Sequence, residues 1–273
     1  MHGSASIFGS EKALIGMVHV GALPGAPMHD TPIDRLAAQA AQEALALVEA
    51  GVDAVMIENM HDRPYVWGDH GPEVAACMTR VGLEVRRAIG DRPLGVQVLA
   101  GGHREGLAVA LAIGAGFVRV ENFVFAQVAD EGLTPRAIAG ELLRYRRAIG
   151  AEHVKVLADI KKKHASHALT GDLSLPEAVH GAGFFGADGV IVTGSRTGSA
   201  ALLTDVEAAR RASHVPVLVG SGVTPENVAG MLAHADGVIV GSWLKAGGDW
   251  TRPVDPERAA RMVEAVRSAR GTG

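Results

Sequence analysis

Hydrophobic and polar positions along this chain switch repeatedly between two periods. Short apolar, β-branched runs stop at Gly, Ser, Asn or a charged residue, and most are followed by a longer stretch with apolar residues at helical spacing. The runs are Ala13 to Val20, Asp53 to Ile57, Leu94 to Leu99, Phe117 to Val120, Val154 to Ile160, Gly189 to Val192, and two that open at Pro216 and Asp236. The helical stretches are about Pro32 to Ala50, Pro72 to Ile89, Arg104 to Ile113, Thr134-Pro135 to Ile149, one opening near Leu175-Pro176, one at Thr224-Pro225, and Pro256 to Ala269. Strands without an alternating polar face are buried on both sides, as in a parallel sheet covered by helices. Prolines in first helical turns, and Gly51-Val-Asp53 or Gly186-Ala-Asp188 leading into strands, are start and stop signals of such units. Eight units of about 34 residues predict one closed (β/α)8 TIM barrel of the phosphate-binding type. The barrel would run from about 13 to 270 in a single domain spanning 1–273. A doubly wound open sheet is the alternative; it usually has fewer units and a glycine motif after its first strand.

The last two strands end alike, at Gly220-Ser221-Gly222 and at Gly241-Ser242. Glycine lets backbone N–H groups approach a ligand closely, and Thr224-Pro225 reads as the cap and first turn of a helix behind the first of these ends. Two neighbouring ends of this kind predict a phosphate cradle, where (β/α)8 barrels often hold one. Gly220, Ser221, Gly222, Gly241 and Ser242 are its expected residues. The plainer reading is that these glycines only allow tight turns.

Composition narrows the partners. The 273 residues are 48% hydrophobic and 21% charged, with 35 glycines, a net charge of −4 and a pI near 6.3. Without a broad basic surface, no nucleic acid is expected as a partner. The single cysteine, Cys77, excludes an internal disulfide and a multi-cysteine metal site, and its place on a helix suits core packing. No apolar run reaches the roughly 18 residues of a membrane span, and Met1 to Ser10 does not read as a signal peptide. The expectation is a cytoplasmic protein without a transmembrane segment, forming a homo-oligomer and binding a small phosphorylated ligand.

Catalytic groups in this fold lie at the C-terminal strand ends and in the loops beyond them. The polar residues there are His19, Glu58, Asn59, Gln97, Glu121, Asn122, Asp159, Lys161, Lys163, His164, Thr193 and Ser195. If the fifth strand persisted to Lys161, alternation would point Asp159, Lys161 and Lys163 into the mouth together. An acid beside a lysine suits proton transfer next to a carbonyl, or a Schiff base if the lysine is desolvated. Asp159, Lys161, Glu58 and His19 are therefore the catalytic candidates, and the others are candidates for holding the ligand. Lys162 reads as part of a solvated run. His19, Glu58, Asp159 and His164 could also hold a divalent metal, although no His-x-His or His-Glu-x-x-His spacing supports it. The cofactor therefore stays open, and a metal is the less favoured reading. Tyr65 and Trp67 read equally as lid packing or as a ligand wall.

The opening Ile15-Gly-Met-Val-His-Val-Gly-Ala-Leu-Pro-Gly-Ala-Pro27 closely resembles that of the BtpA family, also described as photosystem I assembly BtpA or SgcQ-type proteins. Matches continue in Gly51 to Asn59, Lys163-His164-Ala165, Val192-Thr-Gly194 with Thr197-Gly198, Val219-Gly-Ser-Gly-Val223 with Glu226-Asn227, and Val240 to Lys245, so the resemblance covers about 13 to 265. It implies a phosphate-binding TIM barrel. The cyanobacterial namesake is linked to photosystem I stability at the thylakoid surface, and other members are labelled nucleosidases or sugar-metabolism proteins. The chain departs from the family pattern at the mouth: Gln97-Val-Leu-Ala-Gly-Gly102 replaces Asn-Val-Leu with Arg-Asn-Asp, Glu121-Asn122 follows Arg119-Val120, and Lys161 stands where a histidine is usual. Two expectations follow: an enzyme of lyase, isomerase or nucleosidase type acting on a phosphorylated sugar or nucleotide-like ligand, or a non-catalytic photosystem I assembly factor.

Overall fold

A computed structural model describes residues 5–194 and 198–271. Eight parallel strands close into a barrel in the order β1-β11-β10-β9-β7-β4-β3-β2. They are β1 (Ala13–His19), β2 (Ala54–Glu58), β3 (Leu94–Gln97), β4 (Phe117–Val120), β7 (Lys155–Ile160), β9 (Gly189–Val192), β10 (Val217–Val219) and β11 (Gly237–Val240). Around them run α2 (Ile33–Ala50), α3 (Pro72–Ile89), α4 (His103–Ile113), α5 (Ala139–Ala148), α6 (Leu175–Phe184), α7 (Leu203–Ala212), α8 (Val228–Leu232) and α9 (Pro256–Gly271), after a short α1 (Ala5–Phe8). The expected closed (β/α)8 barrel is the fold.

Strand parity divides the apolar residues between two cores. Leu14, Val18, Val55, Ile57, Val96, Val118, Val156, Val190 and Val219 face the helices and form the larger core. Ile15, Met17, Met56, Phe117, Leu157, Ile191, Leu218 and Ile239 fill the barrel interior, together with Phe8 from α1. The Phe8 and Phe117 rings meet edge to face with centroids 5.2 Å apart. Phe117 also explains a glycine opposite: a Cβ on Gly95 would lie 2.1 Å from its ring, so β3 must be bare there.

Three features lay outside the sequence reading. A small antiparallel sheet stands between the barrel strands: β5 (Gln127–Ala129) pairs with β6 (Gly132–Thr134) and with β8 (Ala165–Ser166). Thr134 thus belongs to a strand, and the following helix starts only at Ala139. The helix expected at Thr224-Pro225 starts at Val228, after a turn in which Asn227 Oδ1 accepts from the Thr224 N–H and Asn227 Nδ2 donates to the Gly222 carbonyl. Ion pairs also tie early elements to late ones. The wholly buried Lys245 pairs with Glu43 of α2 at 2.6 Å, and Arg270 of α9 pairs with Asp53 before β2. Among the described residues no helix is long and apolar enough to cross a membrane.

Candidate functional site

One layer above the apolar interior, the inward positions become polar. His19, Glu58 and Gln97 stand side by side, since β1 and β2 pair His19 with Glu58 and β2 and β3 pair Glu58 with Gln97. On β4, Arg119 has the same parity as Phe117 and faces the mouth. Its guanidinium clamps Asp159 of β7, with Nε donating to Oδ1 at 2.9 Å and an Nη to Oδ2 at 3.0 Å. Both side chains are buried. Burial opposes the charge on Arg119, but Asp159 beside it holds its pKa above the ordinary value.

The other ionisable groups are tuned by the same dry surroundings. Burial raises the pKa of Glu58, with Arg119 and Lys163 opposing. Burial, then the Arg119 charge, lowers that of Lys163. His19 is lowered to about 3, first by burial and then by Lys245, so the ring is neutral at pH 7 and its 3.9 Å approach to Glu58 is not an ion pair. His19 Nδ1 lies 2.9 Å from the Trp250 carbonyl, which can only accept; Nδ1 therefore carries the hydrogen and Nε2 keeps its lone pair.

Two cavities occupy the mouth. The narrower, about 180 Å³, lies between the glycine ends and the charged layer: Gly220, Ser221, Gly222, Gly241 and Ser242 line it, with His19 and Met17. The wider, about 270 Å³, is bordered by Gln97, Glu121, Asp159, Lys162, Tyr65 and Trp250, among others. Glu58, Met60, Arg119 and Lys163 line both.

The five cradle residues are thus brought together, but by turns rather than long helices. Gly220 follows the end of β10, and Gly222 turns with φ +61°. Ser242 opens a single 3-10 turn, Ser242–Leu244. The Ser221 hydroxyl donates to the Ser199 carbonyl at 2.8 Å, so its proton is committed within the protein. The glycines differ in what surrounds them. A Cβ on Gly222 would lie 2.2 Å from the Ala200 backbone nitrogen, whereas one on Gly241 would meet side chains, the edge of the His19 ring at 3.1 Å and Met17 Cγ at 3.6 Å.

The remaining expected residues divide. Glu58, Gln97, Glu121, Asp159, Lys163 and His164 border the mouth, and Thr193 supports it by accepting the Lys163 N–H at 3.0 Å. Asn59 and Asn122 are occupied elsewhere. Asn59 Oδ1 accepts from the Leu99 N–H and its Nδ2 donates to Asp62, while Asn122 Nδ2 donates to the Arg136 carbonyl and its Oδ1 accepts from Thr134. Both hold loops in place. Lys161 requires a correction. β7 ends at Ile160, Lys161 takes φ +47°, and its Nζ donates to the Leu173 carbonyl. The break in strand alternation sends it to a separate cleft of about 20 Å³ that Asp159 also borders. Nor is Lys162 solvated: it is buried, with Nζ 2.9 Å from Glu121 and 3.5 Å from Glu131 of the small sheet. Asp159 is paired with Arg119, not with Lys161. Ser195 lies outside the described residues. Among the described residues no group of three or more His, Cys, Asp or Glu side chains is placed to hold a metal; His19, Asp159 and His164 face Trp250, Arg119 and Asp130 respectively.

Sequence reasoning missed Arg119, Lys162 and Trp250. Parity with Phe117 could have found Arg119. Tyr65 borders the wide cavity and donates to the Met60 carbonyl, whereas Trp67 packs under Gly101.

Residues 10–268 match the sequence profile of the BtpA family. A mitochondrial protein of Caenorhabditis elegans, itself uncharacterised, is 41% identical over 95% of this chain and 94% of its own. The photosystem I biogenesis protein BtpA of Synechocystis is 35% identical, over 95% of this chain and 89% of its own. Among solved structures, thiamine phosphate pyrophosphorylase from Pyrococcus furiosus superposes with a TM-score of 0.60 at 14% identity, covering 94% of this chain and 96% of that one. At such identity the likeness concerns the fold.

Proposed function

The chain belongs to the BtpA family, and we propose that it is an enzyme acting on a small phosphorylated ligand by proton transfer, in lyase, isomerase or nucleosidase chemistry. One observation carries this reading: Glu58, Arg119 and Lys163 line both the glycine-walled cavity and the wider one. A phosphate held by Gly220–Gly222 and Gly241-Ser242 would fix one end of the ligand, and its reacting carbon would then sit over these three groups.

In this reading Glu58 is the acid–base group, since burial raises its pKa towards the working pH and lets the carboxyl both take and give a proton. Lys163, its pKa lowered by burial, gives a proton more readily than a surface lysine does. The Arg119–Asp159 clamp presents a fixed positive edge to a developing oxyanion, and Asp159 acts by orienting it. His19 offers a neutral Nε2 beside the cradle. The phosphate named for the solved barrel neighbour supports the ligand class by analogy of fold. A photosystem role is the reading that the Synechocystis relative suggests. The higher identity to an animal protein favours chemistry that does not depend on photosynthesis.

The test is a thermal-shift screen of phosphorylated sugars and nucleotides, with and without divalent cations, followed by turnover of whatever binds. A ligand at 100 times its Kd stabilises the fold by about 2.7 kcal/mol. Glu58→Gln should keep binding and lower turnover by about 10² to 10⁴. A screen without binders, or turnover unchanged in Glu58→Gln, would overturn the respective part of the proposal.

A further inference from the structure

The two cavities differ in what they leave unanswered. Among the described residues, the buried oxygen Gln97 Oε1 receives no hydrogen bond, and Gln97 borders the wide cavity. In the narrow cavity the unanswered buried group is a donor, the indole N–H of Trp243. A buried acceptor is costly to leave without a donor, so such an atom marks a place for a complementary group. The charges point the same way. In the wide cavity Arg119 is paired with Asp159 and Lys162 with Glu121 and Glu131, Arg63 stacks 4.7 Å over the Trp250 ring, and Lys163 is shared with the glycine-walled cavity. A second anionic group entering there would meet Glu58, Glu121, Asp159 and Glu131.

We propose that the wide cavity selects an uncharged, hydroxyl-rich ligand end, read by Gln97 Oε1, so that the substrate class is a sugar phosphate with a single anionic end. This rests on the phosphate-ligand reading above. Gln97 sits beside Glu58 in the strand register, so a hydroxyl bound to Oε1 would lie next to the group proposed to move protons. Gln97 is thus a specificity residue, and its neighbour carries the chemistry.

Calorimetry on the whole protein can separate the two readings with four probes: inorganic phosphate, glycerol 1-phosphate, ribose 5-phosphate and 6-phosphogluconate. The wild type should bind ribose 5-phosphate more tightly than inorganic phosphate or glycerol 1-phosphate, and 6-phosphogluconate more weakly than ribose 5-phosphate. Gln97→Met should weaken ribose 5-phosphate about five- to tenfold, the value of one net hydrogen bond, and leave inorganic phosphate unchanged. Gly241→Asp should abolish all four. Because Oε1 has no donor in the protein, Gln97→Met should unfold at the same temperature or higher, which keeps the variant usable. If phosphate compounds bind in a Gly241-dependent way while Gln97→Met leaves ribose 5-phosphate unchanged, or 6-phosphogluconate binds better, this inference alone fails. If none of the four binds, the phosphate reading fails and takes the inference with it.

Discussion

The two sides of the barrel mouth are built from opposite materials. Around β10 and β11 the wall is glycine, serine and backbone, and few side chains enter. Around β2, β4 and β7 it is made of buried charges locked in pairs, Arg119 with Asp159 and Lys162 with Glu121. A backbone wall recognises an anion through groups that every residue carries, so its specificity lies in shape. A wall of paired side chains is costly to bury and depends on each partner. The two sides should therefore fail differently when altered.

The largest contrast is expected at Arg119. Arg119→Met leaves Asp159 charged and dry, and stability in urea should drop by about 3–5 kcal/mol. Asp159→Asn strands Arg119 in the same way, so a loss of turnover in that variant must be read together with its stability. A wild-type midpoint in Arg119→Met would mean that the pair is solvated and the contrast false.

On the glycine side the effect depends on the position. At Gly222 an added Cβ meets backbone and the φ of +61° is strained, so Gly222→Ala should cost about 1–3 kcal/mol or more. Gly241→Ala should unfold within about 0.5 kcal/mol of wild type yet weaken phosphate binding, since the added Cβ meets only the side chains of His19 and Met17 and no backbone. Equal losses in the two variants would break this distinction.

His19 ties the sides together and gives a pH signature. Its folded pKa of about 3 lies below the ordinary 6.5, so its contribution is present above pH 6.5 and is lost as pH falls towards 3. The slope from this one group is up to about 1.4 kcal/mol per pH unit. His19→Asn should flatten the curve between pH 6 and 4 measured by thermal unfolding; an unchanged curve would show that His19 titrates normally. The smallest effect is expected for Ser221→Ala, about 1 kcal/mol or less, from the bond to the Ser199 carbonyl. A larger loss of phosphate affinity than in Gly241→Ala would mean that the hydroxyl, and not the backbone, holds the anion.

These contrasts also explain what the sequence made legible. The eight barrel strands could be read because each is an apolar, β-branched run set off by polar or turn residues, and most helix starts because proline or helical spacing marks them; α3 and β9 fall at the expected residues. The small sheet could not be, since its strands are two or three residues of mixed polarity with no apolar run to mark them. The glycine wall was legible because both strands stop at Gly-Ser, and Gly220, Ser221, Gly222, Gly241 and Ser242 do line one cavity. The charged side was half legible. Glu58 ends its strand and Asp159 stands next to the end of its own, but Arg119 sits inside an apolar run, where parity alone marks it. Lys161 and Lys162 were misread because a positive φ at Lys161 turns it away and lets Lys162 in, while Lys163 still borders the mouth, and a non-glycine residue does not announce such a turn. Asn59 and Asn122 show the other ambiguity: a polar residue after a strand can serve the ligand or the loop, and here the loops claim both.

The ion pairs across the barrel carry a consequence for how the chain could be divided. A cut at Gly150, between α5 and β7, would give two half-barrels. The first would hold Arg119, Glu121, Glu43 and Asp53; the second would hold their partners Asp159, Lys162, Lys245 and Arg270. Each half alone would carry charges meant for a dry interface with nothing to neutralise them, and each would recognise the other by sign as well as by shape. Co-produced, such fragments should assemble into one barrel, and neither should be a stable unit by itself.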